Sequence, residues 1–213
     1  MWNRKYSKKR EVEKMTKYKE EIIIPKPSIE EVKKYLKKWD DNKEYCDKEE
    51  ALNKLFLKLC PKNTDINDIL LKVTTLNKFY STGIISIHPV AKHILDDVTD
   101  IDSRLKKGDI SAVSDIQSVT LGGEMKKLYS FASKYCSHHN SKDYPIYDSY
   151  VDRILRYFRK CHKFFDFKNE DLKDYVKFKG IIIEFQKFYG LNEYSLKQID
   201  QYLWQLGKEY FSK

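Results

Sequence analysis

The chain is poor in the residues that punctuate β-rich folds, with 7 glycines and 5 prolines among 213 residues. A sandwich or barrel needs turn residues at every hairpin, so this shortage argues against both. Four scattered cysteines do not form a disulfide scaffold at this length and read as free thiols of a reducing compartment. No apolar run approaches the ~20 residues of a membrane helix. Ile22-Ile23-Ile24 and Ile181-Ile182-Ile183, among the longest, are only three residues each. The basic start leads into glutamates rather than an apolar stretch, so no secretory leader is expected. Phosphate-loop, HExxH, GxSxG and dinucleotide signatures are also missing, which removes nucleotide hydrolysis and zinc proteolysis from consideration. A cytoplasmic chain without membrane contact is the expectation.

What is present is a core and a positive charge. Hydrophobic residues make up 41% and aromatics 14%, too much for a disordered chain. Lys and Arg number 41 against 32 Asp and Glu, a net charge of +9 that makes nucleic acid the first partner to consider. A lysine-rich background would give the same charge without such a partner. Residues 1–24 read as a basic extension carrying Arg4, Lys5, Lys8, Lys9, Arg10, Lys14, Lys17 and Lys19. Pro25-Lys26-Pro27 breaks any helix, and Ser28-Ile29-Glu30-Glu31 is a capping box opening the body, 25–213. Helical periodicity continues over 47–60, 65–80, 89–98, 100–107, 110–118, 126–138, 148–163, 170–189 and 195–211. The chain is therefore expected to be all-α, one domain built as two helical lobes.

Two helices and the turn between them carry the chemistry. In 126–138, Leu128, Phe131, Ala132 and Tyr135 share the inward face, with Lys127 and Lys134 at its edge. Gly122-Gly123 precedes it, and glycine amides at a helix start suit a phosphate, although a loop glycine pair has the same composition. In the next helix Arg153, Arg156, Arg159, Lys160 and Lys163 form one stripe opposite Val151, Ile154, Leu155, Phe158 and Cys161. The stripe reads either as a solvated face or as a phosphate clamp. Asp148 opens that helix, a position an N-cap alone would justify.

These residues resemble the helix-hairpin-helix DNA glycosylases, which include endonuclease III and the oxoguanine glycosylases. The family's hairpin, Leu-Pro-Gly-hydrophobic-Gly-x-Lys, aligns with Leu121-Gly122-Gly123-Glu124-Met125-Lys126-Lys127. Its next helix, opening Pro-Val-Asp-x-His-Val, aligns with Pro145-Ile146-Tyr147-Asp148-Ser149-Tyr150-Val151. The second hairpin glycine is Met125, the hairpin proline is Gly122, and Tyr147 stands as an insertion before Asp148. The likeness covers about residues 117–156. It implies the two-lobed glycosylase fold, double-stranded DNA as partner, a monomer without cofactor, and excision of a damaged or modified base in repair or antiviral defence. The implied catalytic residues are Asp148, stabilising the sugar cation, and Lys127, which either forms a Schiff base and adds lyase activity or contacts phosphate. Gly122, Gly123, Lys126, Lys134, Arg153, Arg156, Arg159 and Lys160 would hold the DNA. Tyr80, His139, Tyr144 and Tyr147 would line the base pocket, although packing is the plainer reading of each tyrosine taken singly.

Two further constellations have plainer readings. Cys136, His138, His139, Cys161 and His162 lack the paired spacing of structural zinc sites, so no metal is expected. Leu196, Ile199, Leu203 and Leu206 make a buried helix face, with Trp204 closing the core. A non-catalytic nucleic-acid-binding protein and a protein–protein adaptor are the competing function classes.

Overall fold

The computed structural model describes residues 23–212. Among them run α1 (Ile29–Asp40), α2 (Lys43–Lys54), α3 (Ile66–Tyr80), α4 (Ile87–Asp96), α5 (Ile101–Lys107) and α6 (Ser111–Gln117). A hairpin of β1 (Ser118–Leu121) and β2 (Glu124–Lys127) follows. Then come α7 (Tyr129–His139), α8 (Ser149–His162), α9 (Tyr175–Phe188) and α10 (Leu196–Phe211). The chain is mostly helical, as its periodicity predicts. The basic extension lies outside the described residues except for Ile23 and Ile24. Ile24 already belongs to the body, buried with its amide donating to the Tyr157 hydroxyl at 3.0 Å.

Side-chain caps place the helix starts. Ser28 Oγ accepts from the Glu31 amide at 3.2 Å, Asp65 Oδ1 from Asn67 and Asp68, and Ser195 with Gln198 forms a capping box on α10. The stretch expected as one helix over 170–189 divides at Asp174, whose carboxylate caps α9. Leu55–Leu59 extends α2 as a wider turn, closed by a Cys60 amide to Leu55 carbonyl bond of 2.8 Å.

The segment before α7 corrects the sequence reading. The helix expected from Lys126 starts at Tyr129, and Gly122-Gly123 forms the turn of an antiparallel hairpin pairing Ser118 with Lys127 and Leu121 with Glu124. Both glycines have positive φ, 60° and 83°, the requirement of a two-residue turn that follows strand twist. Their amides therefore sit at an exposed hairpin tip rather than at a helix start. Val119 faces inward and Thr120 outward, so the period here is two.

Helix α10 packs against both α1 and α8. Tyr35 meets Tyr202 edge-on at 5.5 Å, and Gln205 Nε2 donates to the Tyr35 carbonyl at 2.8 Å. On the other side Gly207 lies where a Cβ would come within 2.7 Å of both Tyr150 Cβ and its carbonyl oxygen. Gly207→Ala is accordingly expected to destabilise the fold by about 1–3 kcal/mol, outweighing alanine's better helix propensity. The check is a lower urea midpoint at unchanged slope.

Candidate functional site: a lysine and carboxylates below an aromatic cavity

A cavity of about 300 Å³ opens between α1, α2, the end of α3, α7, the start of α8 and α10. This is the size at which small-molecule sites begin, roughly 300–1,000 Å³. Lys134, Asp148, Ile146 and Tyr80 line its interior, and Trp39, Tyr45, Phe79 and Trp204 supply aromatic walls. Trp39, Tyr45 and Trp204 form a cluster with ring centroids 5.1–6.0 Å apart. Glu44, Lys48 and Lys208 stand at the rim, with the Lys208 ammonium bonded to the Tyr45 hydroxyl at 2.7 Å and lying 4.9 Å from the Trp204 ring centre.

The interior is built by α7 and the extended segment 144–148. Pro145 keeps the preceding residue out of helix, and Asp148 remains extended at φ −140°, ψ 154° as the N-cap of α8. Two serines one turn apart on α7 stitch this segment down. Ser133 Oγ accepts from the Tyr147 amide at 3.0 Å, and Ser130 Oγ donates to the Tyr147 carbonyl at 3.2 Å. Asp148 Oδ1 caps the Tyr150 amide at 3.0 Å, which leaves Oδ2 3.3 Å from Lys134 Nζ. Lys134 Nζ also donates to Ser130 Oγ at 2.7 Å and to the Tyr147 carbonyl at 3.1 Å. Its side chain is 2% exposed. Burial pushes the ammonium below the ordinary lysine range, while the Asp148 carboxylate opposes the shift. Lys134 is thus an amine held near a carboxylate at the base of a cavity.

Lys134 was expected to contact DNA from a helix edge, and the structure moves it to the centre of the site. Lys127, expected either as the Schiff-base amine or as a phosphate contact, sits on β2, exposed and paired with Ser118, and does not line the cavity. The shift follows from the hairpin, which takes up the residues that a longer α7 would have used. Gly122, Gly123 and Lys126 share the exposed hairpin, Lys126 with its ammonium 2.5 Å from Glu124.

Of the expected base-pocket residues only Tyr80 lines the cavity, its hydroxyl 2.9 Å from His138 Nε2. Tyr144 is core: fully buried, it donates to the Asp109 carbonyl at 2.8 Å. Tyr147 turns its ring onto Tyr129 at 4.6 Å and donates to Asp152 at 2.9 Å. His139 belongs to a separate buried polar cluster, 3.5 Å from Lys72 Nζ, where burial pushes its pKa down to about 3. The arginine stripe is mostly engaged within the chain. Arg156 pairs with Asp152 at 2.5 Å, and Arg159 donates to the Phe167 carbonyl at 2.5 Å and to Asn169 at 2.9 Å. Arg153 reaches the Phe211 carbonyl at 3.3 Å, while Lys160 is exposed. Cys161, expected on the apolar side of α8, is exposed.

Helix α10 supplies residues that its apolar pattern does not single out. Lys197, Asp200, Gln201, Trp204 and Lys208 follow one another at helical spacing and all line the cavity. Trp204, expected to close the core, is a wall of the site. Glu49 ties this helix to α1, accepting from Trp39 Nε1 and Gln201 Nε2 at 3.0 Å each and from Lys197 Nζ at 3.1 Å. Burial pushes the Asp200 carboxyl up to about 7 against the pull of Lys197 and Lys134, with Asp148 and Glu49 adding to the rise.

The fold and site define a mostly helical protein with a buried amine and several carboxyl groups around an aromatic cavity. The chain belongs to the HI_0787_N family, whose model, described as an N-terminal domain, matches residues 31–143. A Haemophilus influenzae protein described as uncharacterized is 52% identical over 151 residues, 71% of this chain and 72% of that protein. No solved structure matches. The family segment contributes Trp39, Tyr45, Glu49 and Lys134 to the cavity, and Asp148, Asp200 and Trp204 lie beyond it.

Proposed function

We propose that the protein is a DNA glycosylase with lyase chemistry, acting on a damaged or modified base that it draws out of the duplex. The observation carrying this reading is the Lys134–Asp148 pair, 3.3 Å apart beneath the aromatic rings. An extruded base would lie against Trp39, Tyr45 and Trp204, since aromatic faces accept any base by stacking. Its sugar would then face Lys134. A lysine whose proton is weakened by burial attacks C1′ as a neutral amine, and the nearby carboxylate stabilises the positive charge that develops on the sugar. Lys48 and Lys208 stand at the rim where the flanking phosphates would pass. The resemblance in Pro145-Ile146-Tyr147-Asp148 supports the role of Asp148, and the geometry favours Lys134 over Lys127 as the amine.

Borohydride trapping on a panel of duplexes with modified bases tests this reading. The expected result is a covalent protein–DNA adduct that peptide mapping places on Lys134, together with abasic sites in the released strand. Lys127→Ala is expected to leave adduct yield and base release near wild type and stability within about 0.5 kcal/mol, as for an exposed side chain. Salt-sensitive DNA binding without base release anywhere in the panel would replace the enzyme with a binding protein. Absent or salt-insensitive binding would favour the adaptor.

A further inference from the structure

We propose that Asp200 is the general acid of this site, handing a proton to the departing base. It thereby selects bases that leave as neutral molecules after taking that proton on a ring nitrogen or exocyclic oxygen. This rests on the glycosylase reading above and adds a residue and a substrate requirement to it.

Four carboxyl groups line the cavity, and three are already held. Glu44 pairs with Lys48, Glu49 accepts from three donors, and Asp148 accepts from the Tyr150 amide and Lys134. Asp200 has no hydrogen-bond or ion-pair partner among the described residues, although it lines the same cavity. It sits one turn before Trp204 on α10, so a base stacked on that indole would present an edge within reach of the free carboxyl. The charged groups facing it come from four elements: Lys197 on α10 itself, Glu49 on α2, Lys134 on α7 and Asp148 at the start of α8. Burial is the largest influence and favours the protonated form, against the pull of the two cations and with the two anions adding to it. The two aspartates then divide the work. Asp148, bonded to an amide and an ammonium, faces the sugar, and Asp200, without a donor, carries a proton on the base side.

The step balances. Lys134, once its ammonium proton has passed to solvent, shares the Nζ lone pair with C1′ while the glycosidic C–N bond breaks, and that bond's electron pair stays on the base. The proton of Asp200 moves to the base, which departs neutral, and the carboxylate regains a proton from water. The alkylated Lys134 nitrogen gives up its extra proton to Asp148.

The test is single-turnover base release by wild type and Asp200→Asn, on whichever panel duplex wild type cleaves fastest, as a function of pH. Wild type is expected to show a falling alkaline limb near pH 7. Asp200→Asn is expected to lose that limb and to run about 10²–10⁴-fold slower below it. The folded state binds the Asp200 proton more tightly than the unfolded chain, so wild-type stability declines as pH climbs from the carboxylate range through 7. The amide variant should therefore be at least as stable at neutral pH, which separates a chemical defect from misfolding. Full base release by Asp200→Asn, or a wild-type profile without the alkaline limb, would overturn the proposal and leave the glycosylase reading standing. Wild type releasing no base from any duplex would overturn both.

Discussion

Lys134→Met is expected to yield no borohydride adduct and to slow base release by about 10³-fold or more, because it removes the proposed nucleophile. The methionine keeps most of the volume of the lysine stem, so the packing of α7 survives. It leaves Ser130 Oγ, the Tyr147 carbonyl and Asp148 Oδ2 without their shared donor. Buried acceptors left unpaired cost about 1–3 kcal/mol, less for Asp148, whose side chain is 19% exposed. A second signature concerns pH. The folded protein holds the Lys134 proton less tightly than the unfolded chain does, so wild type gains stability as pH rises toward the ordinary lysine range. Lys134→Met should lose this alkaline gain. Urea melts at neutral and alkaline pH measure it, and an unchanged slope with pH would mean that the ammonium is not buried as described.

Asp148→Asn is expected to reduce base release by about 10²–10⁴-fold with helix α8 intact, since Asn caps helix starts as well as Asp. The variant separates two roles that the geometry combines. The Asp148 carboxylate raises the pKa of Lys134 against burial. Were that its whole function, neutralising it would free more amine and speed the reaction near neutral pH. A carboxylate that steadies the sugar cation gives the opposite sign: release falls, while the acid limb set by Lys134 moves to lower pH. Faster release by the amide variant would remove Asp148 from the chemistry.

Much of the helical frame was legible, because caps and periodicity are local. Ser28, Asp148 and Ser195 each announce a helix start and each accepts the expected amide. Asp148 could be singled out for the same reason. Lys134 was visible only as an edge residue. The signal for its burial was that α7 contains no carboxylate and one lysine, on a helix whose residues 129–138 are covered on nearly every side. The hairpin was misread because Gly122-Gly123 fits either a helix start or a strand turn, and four residues on each side are too few for a period of two to stand out. The arginine stripe failed for another reason: periodicity tells which face a residue occupies, not which carbonyl comes to meet it. Arg159 finds the Phe167 carbonyl only after the chain turns back at Lys163, in left-handed backbone at φ 50°. Helix α10 has two working faces, and the leucines that define one leave Asp200 unmarked on the other and make Trp204 read as part of the core.

The family segment ends at residue 143, between the amine and the acids that would act with it. Lys134 owes its low proton affinity to enclosure, and parts of that enclosure arrive last in the chain, on α10. In a half-made molecule the same amine would stand in water as an ordinary cation, unreactive toward any sugar. Under the proposed function, the amine would become reactive only once α10 has closed over it.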